Sequence, residues 1–180
     1  MIFYVTAAIL YPNYFNPREL FFCDLMDIHV GREKHFNAGL PFALMALLSI
    51  SIVVAGFFIW FANQSKWSNK KKLFTKITGS LSAFFIVFVW TELHDEILII
   101  SSIIGSLPLA LIALEIIKER SNYSLVFGLI TLSILVLYNL TFYLNLFEFF
   151  WPIMQKTCII LSLIWINIMA FNTREQGLRI

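Results

Sequence analysis

Residues 38–62 read AGLPFALMALLSISIVVAGFFIWFA, and no charged side chain interrupts them. At 1.5 Å of rise per helical residue, such a run is long enough to cross the roughly 30 Å hydrocarbon core of a bilayer. The rest of the chain shares this character. Of 180 residues, 59% are hydrophobic, 17% aromatic and only 13% charged. Mean hydropathy is +0.81. Soluble domains carry about 25% charged residues. A chain this small, folded in water, would still expose a large share of its surface. So much apolar surface calls for hydrocarbon as the solvent.

Further runs of spanning length cover 73–91, 97–117 and 123–146. A fifth, 157–171, extends upstream to 152, because Pro152 at a first helical turn gives up no hydrogen bond. The N-terminal run 1–11, MIFYVTAAILY, is about half as long as a span requires. It lacks the basic lead of a signal peptide. It reads as half of a sixth helix, either short in itself or clipped by a misplaced start. The expectation is therefore an all-α protein: one integral membrane domain over 1–180, with six spans and a short first one.

Basic residues set the orientation of such a bundle, because short loops rich in Lys and Arg stay cytoplasmic. If the spans alternate, Lys66, Lys70, Lys71, Lys72, Lys76, Lys118, Arg120, Arg174 and Arg179 share one side. Arg18, Arg32, Lys34 and Lys156 fall on the other. Both termini then lie in the cytoplasm of a bacterial cell. Trp60, Trp67, Trp90 and Trp151 fall near span ends, where interfacial aromatics belong. The cluster Lys70, Lys71, Lys72 acts as a topology signal or, on a second reading, contacts anionic lipid. A net charge of +2 gives no reason to expect a nucleic-acid partner.

Between the first two runs lies the longest polar piece. Asn16, Pro17 and Glu19 have the grammar of a helix start. Leu20, Phe21, Leu25 and Ile28 follow at helical spacing, with Glu19, Cys23, Asp24 and Asp27 on a polar strip. The spacing predicts an amphipathic outer helix over 16–29, lying on the membrane or over the bundle. Its carboxylates face water, or Asp24 and Asp27 point into a shared outer pocket.

Tyr11-Pro12, then FFCDLMD from Phe21 to Asp27, then Gly39 and Pro41 at the entry to the next run, form a recognisable order. In this layout the chain resembles a bacterial membrane family of unknown function related to the DRAM/Sfk-like six-span proteins. The resemblance implies a six-span fold and no established activity. It matches Cys23-Asp24-Leu25 to the family's outer element and His94 to a histidine at the outer end of the third helix. The first helix here is shorter than the family's.

The second polar knot is ELHDE, 92–96. Histidine titrates near neutrality, and carboxylates trade protons or bind metals. Asp24, Asp27, His94 and Asp95 form the candidate outer-face site if the segment before residue 38 folds over the bundle. Three readings stand: a wet turn between two spans, a polar lock holding the outer segment, or a catalytic or metal centre. His29 and His35 lie on the flanking loop. No P-loop, GxSxG or HExxH motif occurs, and no cofactor-binding domain fits outside the spans. Cys23 and Cys158 have no metal-type spacing and read as packing residues.

Inside the spans, Lys76, Glu115 and Lys156 lie within a turn of an end, so no charge marks a midplane proton path. Ser101 with Gly105, and Ser102 with Ser106, are small pairs one turn apart, suited to close helix packing. The expected function is a non-enzymatic membrane component that senses or handles lipid, with no catalytic residue, metal or cofactor. The rivals are an intramembrane metal-dependent hydrolase, for which no histidine follows His94, and a small-molecule transporter.

Overall fold

The structure is a computed structural model that describes residues 1–12, 14–119 and 122–175. Arg120 and Arg179 of the basic tally lie outside the described residues. The architecture is all-α, with six helices among the described residues: α1 (Ile2–Ile9), α2 (Leu40–Gln64), α3 (Asn69–Ile86), α4 (His94–Glu119), α5 (Asn122–Tyr143) and α6 (Trp151–Glu175). A two-residue antiparallel hairpin, β1 (His29–Val30) with β2 (His35–Phe36), sits between α1 and α2.

Local chemistry sets these boundaries. Pro41 lies in the first turn of α2, where its missing N–H is no loss. That helix stops at Ser65, whose backbone N–H reaches the Phe61 carbonyl and whose hydroxyl reaches that of Ala62. Ser68 then caps α3 by accepting from the Lys71 N–H.

Four helical stretches are long and apolar enough to cross a membrane: Leu40–Gln64, His94–Ile117, Val126–Tyr143 and Glu148–Phe171. Two of the six expected spans do not reach that standard. The helix of the first run has 8 residues. The third run forms α3 from Asn69 to Ile86, earlier than expected, and the helix takes in Lys70, Lys71, Lys72 and Lys76. Turns over 87–93 complete the stretch assigned to that span.

The amphipathic helix expected over 16–29 does not form. A single turn over 17–19 and a 3-10 turn, Cys23–Met26, replace it, and the hairpin follows. The helix-start grammar works for one turn: the Asn16 side chain accepts from the Arg18 N–H, and its carbonyl from Glu19 and Leu20. Beyond that turn, side chains take the backbone groups that a helix would need. Asp24 accepts from the Phe21 N–H and Gln155 from the Phe22 N–H. Asn37 takes the carbonyls of Leu25 and Asp27.

The helices pack in chain order. The most extensive contacts are α2 with α3 and α3 with α4; α5 pairs with α6, and α1 lies on α2. Small residues make the close approaches. The Ser82 hydroxyl donates to the Ser101 carbonyl at 2.8 Å, and a methyl group on Gly105 would meet that hydroxyl. Ser51 donates to the Ala83 carbonyl. Ser101 and Gly105 thus serve the packing face that their spacing predicts.

Two apolar clusters result. One, at the end covered by residues 14–37, joins Tyr4, Ala7, Phe22, Leu25, Met26 and Ala43. The other, toward the lysine-rich α2–α3 turn, joins Phe57, Phe61, Trp67, Ile112 and Trp165. These are the cap end and the lysine end of the bundle.

Candidate functional site

The cap is built around Asn37, which is fully buried. Its amide donates to the carbonyls of Leu25 and Asp27, each at 2.9 Å, and its oxygen accepts from the Gly39 N–H at 2.9 Å. One side chain therefore ties the 3-10 turn to the start of α2. Phe22, just before that turn, stacks on Tyr4 of α1 with ring centroids 4.2 Å apart.

The first turns of α6 hold the cap from the other side. Gln155 accepts from the Phe22 N–H at 2.9 Å and donates to the Cys23 sulfur at 3.6 Å. The Lys156 ammonium donates to the Leu20 carbonyl at 2.5 Å and to the Pro152 carbonyl at 3.0 Å. It also lies 5.3 Å from the Phe22 ring centre and 5.6 Å from that of Phe15. Among the described residues it forms no ion pair.

The four predicted site residues gather at this end. Asp24 is half-buried, and loss of water raises its carboxyl above the usual range. The Phe21 N–H and the charges of Lys156 and His94 pull it back down. Asp27 is raised by desolvation and by repulsion from Asp24, and drawn down by His94. His94 opens α4 and lies 3.2 Å from Asp95, with both side chains about half exposed or more. Asp95 and Glu96 occupy the first turn of α4, where the helix dipole favours negative charge. Burial pushes the Cys23 thiol up to about 11, against the pull of the Gln155 hydrogen bond. That shift disfavours the thiolate a nucleophile would need.

The four side chains therefore share one electrostatic patch. Among the described residues, no group of three or more His, Cys, Asp or Glu is arranged to hold a metal ion. His35 pairs instead with Glu33 at 2.9 Å on the exposed hairpin, and His29 sits opposite Phe36 there. Sequence reasoning missed Asn37 and Gln155. The adjacent polar pair Gln155-Lys156, inside an otherwise apolar run, was the available signal.

At the lysine end, the Lys71 ammonium lies 3.8 Å from the Trp67 ring centre and 3.8 Å from the Glu115 carboxylate. Between α2 and α6 toward this end lies an open cavity of about 360 Å³. The chain matches no protein-family model, no curated protein and no solved structure.

Proposed function

We propose that this chain is a six-span protein of a bacterial cytoplasmic membrane, with both termini inside, that works without catalysis as a component sensing or handling lipid. Kinship with the DRAM/Sfk-like six-span proteins belongs to the same reading, on Tyr11-Pro12, Cys23-Asp24-Leu25 and His94. Apolar side chains in the middle of the long helices support a hydrocarbon surround. Ile52 and Ile103 are each 63% exposed and Val136 65%. In water such continuous apolar flanks would drive association. The nine basic residues of one side support the orientation.

One observation carries the non-catalytic half: four polar side chains at the cap end are engaged with the cap's own backbone. Asp24, Gln155, Lys156 and Asn37 each hold a main-chain N–H or C=O. His94 and Asp95 pair with each other in the open. This favours a polar lock over a reaction centre. Elemental analysis of the purified protein tests the reading. It predicts no stoichiometric zinc and no change in metal content for His94→Ala. One zinc per chain, lost in that variant, would overturn it in favour of a metal centre at His94.

A further inference from the structure

The cavity between α2 and α6 has a glycine at its floor that helix packing does not explain. At Gly79 an added methyl group would run into the Phe58 ring, and at Gly128 into Trp165. Gly105 faces Ser82 in the same way. At Gly56 an added methyl would meet nothing within 4 Å. A mid-helix glycine weakens a helix relative to alanine. Here its small size goes into leaving a groove open rather than into bringing two helices together.

The groove's chemistry selects its occupant. Val53, Gly56 and Trp60 line it from α2, and Asn167, Ala170 and Phe171 from α6. Among the described residues no charged one lines it, and Asn167 donates its amide to the Leu163 carbonyl of its own helix. It lies on two of the stretches long and apolar enough to span a bilayer. A methylene chain satisfies such walls, whereas a sugar or an ion would leave its polar groups unpaired. Trp60 stands one turn before the end of α2, which leads directly to the exposed Lys66 and Lys70 and the part-exposed Lys72. A chain lying along the groove would bring its headgroup to those ammonium groups.

We infer that the groove floored by Gly56 binds an acyl chain of an anionic glycerophospholipid, whose headgroup meets Lys66, Lys70 and Lys72. The inference rests on the proposed membrane-spanning reading. Tryptophan quenching by acyl-brominated lipid tests it. The protein and its Trp60→Phe variant are reconstituted in vesicles of phosphatidylcholine holding a minor share of brominated phosphatidylglycerol or brominated phosphatidylcholine.

The Trp60 part of the quenching should be at least about fivefold more effective with the anionic lipid, the preference that even one of the three lysines near an anionic headgroup confers. Gly56→Leu, or Ala170→Phe as the second variant, should abolish that component without lowering thermal stability. Lys66→Gln with Lys70→Gln and Lys72→Gln should leave the quenching and remove the headgroup preference. Equal Trp60 quenching by both lipids, unchanged in both filling variants, would overturn the inference. So would a Trp60 shielded from both lipids in a stable dimer, because a second copy would then fill the groove. Failure of the membrane reading looks different: none of the tryptophans would then be quenched by either lipid.

Discussion

The two ends of the bundle fill their space by opposite means. At the cap end, residues 14–37 are folded in and tied by polar side chains to backbone groups. Asn37, Gln155 and Lys156 among them satisfy five main-chain atoms of the cap and the α2 entry: the carbonyls of Leu20, Leu25 and Asp27 and the N–H groups of Phe22 and Gly39. At the lysine end, the filling is aromatic, with Phe57, Phe61, Trp67 and Trp165 in contact, and a groove is left open beside it. A segment without regular structure has backbone donors and acceptors to satisfy, so it needs polar clasps. Helices satisfy their own backbone and can pack on ring faces alone. Stability at the cap end should therefore respond to lost hydrogen bonds, and at the lysine end to lost or added volume.

The largest effect expected is at Asn37. Asn37→Leu removes three hydrogen bonds, two of them buried, and strands two carbonyls and one N–H, at a cost of about 3–5 kcal/mol. Unfolding of the detergent-solubilised protein would read it, together with faster proteolysis within the cap; an unchanged midpoint would break the contrast. Next comes the glycine pair. Gly79→Ala drives a methyl into Phe58 and should cost about 1–3 kcal/mol. Gly56→Ala should stabilise by up to about 1 kcal/mol, since nothing opposes the new methyl and helix propensity improves. The same thermal scan compares the two, and a loss at both positions would close the groove as a structural feature.

Lys156→Met keeps the apolar stem but leaves the Leu20 carbonyl without its donor, at roughly 1–2 kcal/mol. Loosening should be confined to the cap in hydrogen exchange. The smallest effect is that of pH. The Asp24 and Asp27 carboxyls titrate higher in the folded cap than in the unfolded chain, Asp24 chiefly through burial. The folded protein thus holds more protons, and stability must fall as pH rises from about 4, the unfolded value, through the folded one. Asp24→Asn with Asp27→Asn should flatten that slope, while the amide oxygen introduced at position 24 still accepts from the Phe21 N–H. A slope of the opposite sign would mean that His94 and Lys156 dominate the patch.

How legible all this was in the sequence depended on period and medium. Uninterrupted apolar runs located α2, α4, α5 and α6 within a few residues, because an apolar run of that length leaves few alternatives to a long helix. The cap misled because Asn16-Pro17 and a 3.6-residue stripe describe a helix equally well whether or not long-range partners compete for its backbone. Gln155 lies 133 positions from the N–H it accepts from, and no local pattern encodes that. The α3 run was read as apolar from 73 onward, yet Ser68 caps the helix earlier and brings three lysines into it. Of the candidate site, the gathering of Asp24, Asp27, His94 and Asp95 at one end was the expectation that alternating apolar runs gave, since both polar segments then fall on one side. That their neighbours Asn37, Gln155 and Lys156 hydrogen-bond the cap's backbone was visible only in three dimensions.

The account depends most on the cap and the lysine turn facing opposite sides of a bilayer. With Cys23 and Cys158 replaced by Ala, single cysteines at Lys34→Cys in the hairpin and Lys70→Cys at the start of α3 can be challenged in intact cells with a membrane-impermeant maleimide. Labelling of position 34 at once, and of position 70 only after the membrane is permeabilised, is the predicted result. Equal labelling of both in intact cells, or recovery of the unlabelled protein from the soluble fraction without detergent, would contradict it.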